Sequence, residues 1–332
     1  MASEILPKLD LNITNRCNFR CVHCAFDSGI VNIPELSIQE LEKILQDTKK
    51  LGGRRIDITG GEPLIRDDVN ELVSIAKKLD YKTELVTNAS LLNAEKLARF
   101  KTLGLDGIAI SLDGASSETY NRIRRKDSET FSRVLENIKK SHELGFYTKV
   151  NTVIFDFNLE EITKIIELCL KLGVNENGIY YFTPVGRGNR SQELSIEPIK
   201  WLDFTRNELM NYRNCGMKIS LEVPLIEKKY WKPELGCIAN TERNHLQILP
   251  DGNVYPCAIL ASYNKPIANL HECSVADIWN NKKLWEDYWH QISGVFPCKF
   301  CVDFKAAFDI KNYEDYGFVC PIRKFKLEEL EK

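Results

Sequence analysis

The chain has 332 residues, 43% of them hydrophobic, and its 45 Lys and Arg stand against 47 Asp and Glu for a net charge of −2. That length buries one large core, or a large and a small one, and the near-neutral balance excludes a nucleic-acid protein that works by bulk positive potential. No apolar run approaches the roughly 20 residues that span a bilayer, and "MASEILPKLD" has neither the basic nor the apolar region of a secretion signal, so the expected compartment is the cytoplasm.

From about residue 8 to residue 185 short β-rich runs alternate with helical stretches, the pattern of a parallel α/β architecture. The strand-like runs are "KLDLNIT", "RIDIT", "KTELVTN", "GIAISLD", "TKVNTVI" and "GIYYFTP". The clearest helix lies in "LSIQELEKILQDTKKLGG", where Ser37 and Glu40 can form a capping box and Gly52 supplies a stop. Further helices are expected in "DVNELVSIAKKL", "NAEKLARFKTLG", "SETFSRVLENIKKSHELG" and "LEEITKIIELCLKLG". Six such units in series fit a doubly wound sheet or a barrel, and periodicity does not choose between them. Polar and glycine residues follow each strand: the cysteine loop from Asn15, then "TGGEP", "TNAS", "SLDG", "NTV" and "PVGRG". That placement predicts one shared site at the C-terminal ends of the strands. One more helix is read in "SIEPIKWLDFTRNELMNYRN". Beyond about residue 235 the chain turns loop-rich, and a boundary near residue 230 divides residues 1–230 from 231–332.

Eleven cysteines in a compartment that rarely keeps disulfides read as metal ligation or redox chemistry. Cys17, Cys21 and Cys24 crowd "NRCNFRCVHC"; Cys237, Cys257, Cys273, Cys298, Cys301 and Cys320 lie toward the other end. Cys169 sits in an apolar helical repeat and reads as a small buried hydrophobe, while Cys215 has no evident role. Structural zinc prefers four protein ligands in CxxC pairs, which this CxxxCxxC spacing suits poorly, with His23 the local candidate for a fourth. A [4Fe–4S] cluster is normally held by four thiolates, so three leave one iron open to bind something else, which points to catalysis. A zinc knuckle or incidental thiols are the alternatives.

Cys17-x3-Cys21-x2-Cys24 after the first strand, "TGGEP" after the second and "SLDG" after the fourth together closely resemble the radical S-adenosylmethionine (radical SAM) superfamily over about residues 8–190. The resemblance implies a partial (β/α)6 barrel of the TIM type. It implies a [4Fe–4S] cluster on Cys17, Cys21 and Cys24 whose open iron binds the amino and carboxylate groups of S-adenosylmethionine. One-electron cleavage would then give methionine and a 5′-deoxyadenosyl radical that takes a hydrogen atom from substrate, with an electron donor such as ferredoxin or flavodoxin. The resemblance further implies Gly60 and Gly61 beside the methionine amino group, Glu62 accepting a hydrogen bond from it, and Pro63 stiffening the turn. Ser111 and Asp113 fall where the family holds the ribose hydroxyls, and Arg124 where related enzymes aim an arginine at the cofactor carboxylate. Asn151 and "PVGRG" fall on the adenine side, and His23 stands where the family often has a packing aromatic residue.

The segments "DGNVYPC", "IANLHECSVADIWNN" and "FPCKFC" resemble the SPASM/twitch extension of radical SAM enzymes. Cys237, Cys257, Cys298 and Cys301 are four thiols suited to a second [4Fe–4S] cluster, with a zinc ribbon as the alternative. Full SPASM domains carry further cysteines after the CxxC, where this chain has none, so a single auxiliary cluster, two clusters in all, is expected. Cys320 is left over as an alternative ligand, a thiol that gives a hydrogen atom to a substrate radical, or a buried structural residue; Cys273 reads as structural. Among such enzymes the resemblance favours modification of a ribosomally made peptide by crosslinking, epimerisation or oxidation. The alternatives are oxidation or decarboxylation of a small molecule (a sugar, an aminocyclitol or a cofactor precursor), or a non-catalytic iron–sulfur or zinc scaffold. The first strand begins near residue 8, which on this reading leaves no N-terminal peptide-recognition domain. No nucleic-acid or membrane partner is expected.

Overall fold

Seven strands, β1 (Lys8–Asn12), β2 (Arg55–Thr59), β3 (Lys82–Thr87), β4 (Gly107–Ser111), β5 (Tyr147–Ile154), β6 (Glu176–Tyr181) and β7 (Lys218–Glu222), lie side by side in chain order. Every neighbouring pair is parallel. The computed structural model describes residues 5–30, 32–232, 235, 237, 239, 244–293, 315–320, 323–327 and 330. Helices α1 (Ile38–Lys50), α2 (Val69–Lys78), α3 (Ala94–Thr102), α4 (Ser117–Arg124), α5 (Ser128–Glu143), α6 (Ile162–Lys171) and α7 (Pro198–Asn207) form the crossovers. The capping box expected on α1 is present, with Ser37 N donating to Glu40 Oε2 at 2.7 Å and Glu40 N to Ser37 Oγ at 3.3 Å.

The parallel run therefore reaches one strand beyond the six sequence units, and the C-terminal third extends the same sheet at both edges. β9 (His245–Ile248) pairs in parallel with β1, and antiparallel β10 (Asn253–Tyr255) and β11 (Ala268–Asn269) follow it outward. On the opposite edge β13 (Lys324–Lys326) runs antiparallel to β7. β8 (Leu225–Glu227) and β12 (Tyr316–Phe318) make a separate two-stranded pair. No helix among the described residues is long and apolar enough to cross a membrane.

Strand alternation divides the sheet into two chemically different faces. Leu9, Leu11, Ile56, Ile58, Leu85, Ile108, Ile110 and Val150 are fully buried in the main core, where each large aliphatic side chain is worth about 1.5–3 kcal/mol. The residues between them are polar and line the inner face. In its lower half Lys8 Nζ lies 2.8 Å from both Asp10 and Asp57, and Arg55 bridges Asp57 at 2.9 Å and Glu84 at 3.1 Å. Lys149 and Lys218 meet Glu176 at 3.3 and 2.9 Å. These four cations and four carboxylates neutralise one another on adjacent strands, so the inner face has a charged floor beneath the strand ends.

Among the described residues the carboxyl of Glu222, at the end of β7, accepts one hydrogen bond, from the backbone N–H of Tyr181 at 3.0 Å, and burial pushes it from 4.5 up to about 8 against the opposing charge of Lys324. The native state then holds a proton that the unfolded chain has released, so stability falls as pH rises from about 4.5, and the loss is complete above about 8. One such group contributes a slope of about 1.4 kcal/mol per pH unit. Urea unfolding of Glu222→Gln should lack that slope and exceed the parent in stability at pH 8. Parallel pH profiles for the two proteins would contradict the assignment.

Candidate metal and cofactor site at the strand ends

The chain leaving β1 makes a loop that other elements pin from three sides. Gly29 N donates to Asn15 O at 2.7 Å and closes it. The "TGGEP" turn after β2 lies against its start, with Gly61 N on Thr14 O at 2.7 Å and Glu62 N on Arg16 O at 2.9 Å. A Cβ at Gly61 would sit 2.2 Å from Arg16 O, so only glycine permits this approach. From the third side comes "PVGRG". Arg187 N donates to Cys24 O at 2.9 Å, and its buried guanidinium donates to Cys21 O at 3.1 Å and Ser28 O at 2.8 Å while pairing with Asp27 at 2.8 Å. At Gly186, with φ +55°, a Cβ would meet Ala25 O at 2.1 Å.

Within this loop each of the three sulfurs accepts one N–H donor. Phe19 N reaches Cys17 Sγ at 3.4 Å, Ser28 N reaches Cys24 Sγ at 3.3 Å, and Arg124 Nη1 reaches Cys21 Sγ at 3.6 Å. Burial nevertheless pushes the Cys17 thiol up to about 11 and raises Cys21 as well, with Arg124 opposing the second shift. Burial thus favours the protonated form of Cys17 and Cys21, and a metal that binds them displaces the protons. Among the described residues no three Cys, His, Asp or Glu side chains gather on a single point as one metal ion requires.

Arg124 ends α4 and lies 2.5 Å from Asp113 Oδ2 in a buried ion pair, while Asp113 Oδ1 accepts from Val153 N at 2.8 Å. The two residues that the sequence reading aims at different parts of a cofactor therefore face each other, and through Arg124 they reach Cys21. His23 Nε2 is 3.9 Å from the same Asp113 oxygen, but burial and then Arg124 lower its pKa to about 4, so the imidazole is neutral. Its ring packs 5.7 Å from Phe155, and Nδ1 is buried with no hydrogen-bond partner among the described residues.

Glu62 is fully buried. Its Oε1 accepts from Thr87 Oγ1 at 2.7 Å and Leu64 N at 3.2 Å, and its Oε2 from Asn88 N at 2.8 Å. Pro63 opens the short 3₁₀ turn that follows. Asn88 also donates to Asn18 Oδ1 at 3.0 Å, tying the end of β3 to the cysteine loop; sequence reading did not single out Asn18. Gly60 approaches Thr14 O from the same turn. Ser111, the last residue of β4, and Asn151, in the middle of β5, are register partners, half-buried on the inner face. Tyr180 is the other residue whose part the sequence left unread; Arg187 was read within the "PVGRG" turn on the adenine side, but its clamp on the cysteine loop was not.

At the other end Cys237, Cys257 and Cys320 are all buried. Cys257 caps helix α8 (Ala258–Ser262), its Sγ accepting from Leu260 N at 3.4 Å. Cys320 N donates to Leu235 O at 3.2 Å, which brings Cys320 beside the Cys237 segment. Cys298 and Cys301 lie outside the described residues. Cys273 donates to Asn269 O at 3.4 Å, and Cys169 is buried in the core from α6, as expected of structural thiols.

Residues 11–169 match the profile described as the radical SAM superfamily, and residues 237–302 match SPASM, an iron-sulfur cluster-binding domain. A probable GTP 3′,8-cyclase of Saccharolobus islandicus is 35% identical over 270 residues, 81% of this chain and 77% of that protein. An AdoMet-dependent heme synthase of Methanosarcina barkeri is 27% identical over 293 residues, 82% of each. Among solved structures, Streptococcus suis SuiB bound to precursor peptide SuiA superposes with a TM-score of 0.71 at 18% identity over 85% of this chain. This chain spans 66% of SuiB, just under two thirds. anSMEcpe with bound AdoMet gives a TM-score of 0.63 at 18% identity, covering 84% of this chain and 82% of that one.

Proposed function

Since this chain belongs to the radical SAM superfamily and carries a SPASM iron–sulfur domain, we propose that it removes a hydrogen atom from a peptide substrate held at the C-terminal ends of β1 to β7. A [4Fe–4S] cluster with S-adenosylmethionine supplies that chemistry when bound, through one-electron cleavage to a 5′-deoxyadenosyl radical. The observation that carries the reading is the cysteine loop, whose three sulfurs each accept an N–H donor beside the "TGGEP" turn. Three shielded thiols with donors on their sulfurs fit an iron–sulfur ligand set, and the unpartnered buried Nδ1 of His23 beside Cys24 fits a ligand in contact with the loop.

On this reading Cys17, Cys21 and Cys24 hold the catalytic cluster. Arg124, oriented by Asp113, balances the charge at Cys21. Glu62 and Pro63 hold the turn against the loop, and Ser111 and Asn151 face the cofactor from the inner face. Cys237, Cys257, Cys298 and Cys301 hold the auxiliary cluster.

Cys320, buried beside the Cys237 segment, is the alternative ligand of that cluster, taking the place of one of those four thiols. Cys320→Ala should lower bound iron by up to about four atoms per chain, measured after anaerobic reconstitution. Full iron with blocked product formation would instead make Cys320 a hydrogen donor.

The peptide is supported by the fold shared with SuiB, solved with its precursor peptide, and with anSMEcpe, solved with the Cp18Cys peptide. A small-molecule substrate is the second reading, favoured by relatives at 27–35% identity whose names point to GTP and heme chemistry. Reduced enzyme with S-adenosylmethionine, offered short peptides encoded beside its own gene and in parallel a small-metabolite extract, separates the two. A changed peptide mass supports the first reading. Turnover confined to the small-molecule extract overturns it in favour of the second.

A further inference from the structure

The inner face above the charged floor holds a cation that the chemistry proposed so far does not use. Lys324, on β13, is exposed, and its Nζ donates to the hydroxyl of Tyr180 at 2.7 Å and lies 4.2 Å above that ring. The same hydroxyl donates to Asn151 Oδ1 at 3.2 Å, so Tyr180 links the C-terminal strand to the residue that faces the cofactor side. Gly178 makes room for this arrangement. A Cβ there would press on Tyr180 at 3.1 Å, on Asn151 at 3.3 Å and on Lys149 at 3.0 Å.

Among the described residues Lys324 pairs with no carboxylate, in contrast to Lys8, Lys149 and Lys218 on the same face. Its register partner on β7 is Glu222, which is buried and holds its proton to about pH 8. An ammonium has three donor hydrogens, and Tyr180 takes one of them. The remaining donors, on an exposed group, reach no carboxylate oxygen at ion-pair distance among the described residues; the nearest acidic influence is the buried Glu222, whose proton Lys324 helps to loosen.

We propose that Lys324 and Tyr180 form an oxyanion subsite that anchors a carboxylate or phosphate group of the substrate beside the cofactor. The subsite rests on the enzyme reading above and adds to it the chemical class of the group recognised. It also assigns a part to β13: the C-terminal segment completes the substrate site by bringing Lys324 onto the edge of the barrel sheet.

Calorimetric titration tests this on the anaerobically reconstituted full chain, with S-adenosylmethionine bound and ionic strength held with chloride. Inorganic phosphate and succinate are the two probes. Saturable binding of one of them to the wild type is expected, weakened about tenfold or more in Lys324→Ala and largely restored in Lys324→Arg. Tyr180→Phe should weaken it less, since the ammonium stays. Preference for phosphate assigns a phosphorylated substrate, and preference for succinate a carboxylate. Failure of both probes to bind the wild type, or equal binding by Lys324→Ala, overturns the subsite. Reductive cleavage of S-adenosylmethionine is followed on the same wild-type preparation. Cleavage without anion binding removes the subsite alone, and anion binding without cleavage removes the enzyme reading alone.

Discussion

Replacing Cys17, Cys21 and Cys24 together with alanine should lower bound iron from about eight atoms per chain to about four and abolish reductive cleavage of S-adenosylmethionine. The two halves of the result come from different places. The auxiliary thiols are far along the chain, and Cys257 and Cys320 keep their own backbone and capping contacts, so their iron should stay. The loop itself should also stay folded. Its shape depends on Arg187, Gly61 and the Asn15–Gly29 closure rather than on the sulfurs, each of which accepts a single weak N–H bond. Iron analysis and chromatographic detection of 5′-deoxyadenosine read both halves. Loss of all iron would show that the two cluster sites do not load independently, and retained cleavage would remove the catalytic cluster from this loop.

Glu62→Gln should destabilise the metal-free protein by about 1–3 kcal/mol, because a buried group that accepts three hydrogen bonds acquires an amine facing one of its donors. Thr87 can accept from the new amine with its second lone pair only by turning its proton away from residue 62, which forfeits the hydrogen bond it now donates there. The same change should weaken S-adenosylmethionine binding, because the turn it holds is seated on the cysteine loop. Urea midpoints and calorimetry measure the two effects separately. Lower stability with unchanged affinity assigns Glu62 to the turn alone, while an unchanged midpoint would contradict the network described for it.

Much of this site was legible because its pieces are short in sequence. The cysteine spacing, "TGGEP" and "SLDG" each sit within a few residues and each follows a strand, so motif and topology agree. Reading partners was harder than reading positions. Arg187 stood in a glycine turn, but its clamp on Cys21 and Ser28 spans about 160 residues and has no periodic signature. Asp113 was read just after β4 and Arg124 in the segment that follows, yet their pairing needs α4, a short polar helix whose one buried face shows little pattern. β7 escaped notice because "KISLE" follows a polar turn and lies outside the regular strand–helix alternation that marks the other strands. Lys324 carried no signal at all. Its meaning comes from β13 pairing with β7, which the local sequence does not announce.

The central claim is that the three-cysteine loop supports one-electron cleavage of S-adenosylmethionine. The most direct test is the amount of 5′-deoxyadenosine formed by anaerobically reconstituted wild-type protein with S-adenosylmethionine and a strong reductant. The account predicts 5′-deoxyadenosine and methionine in equal amounts, formed only when reductant is present. Protein that carries its full iron and binds S-adenosylmethionine but leaves it intact under reduction would contradict it.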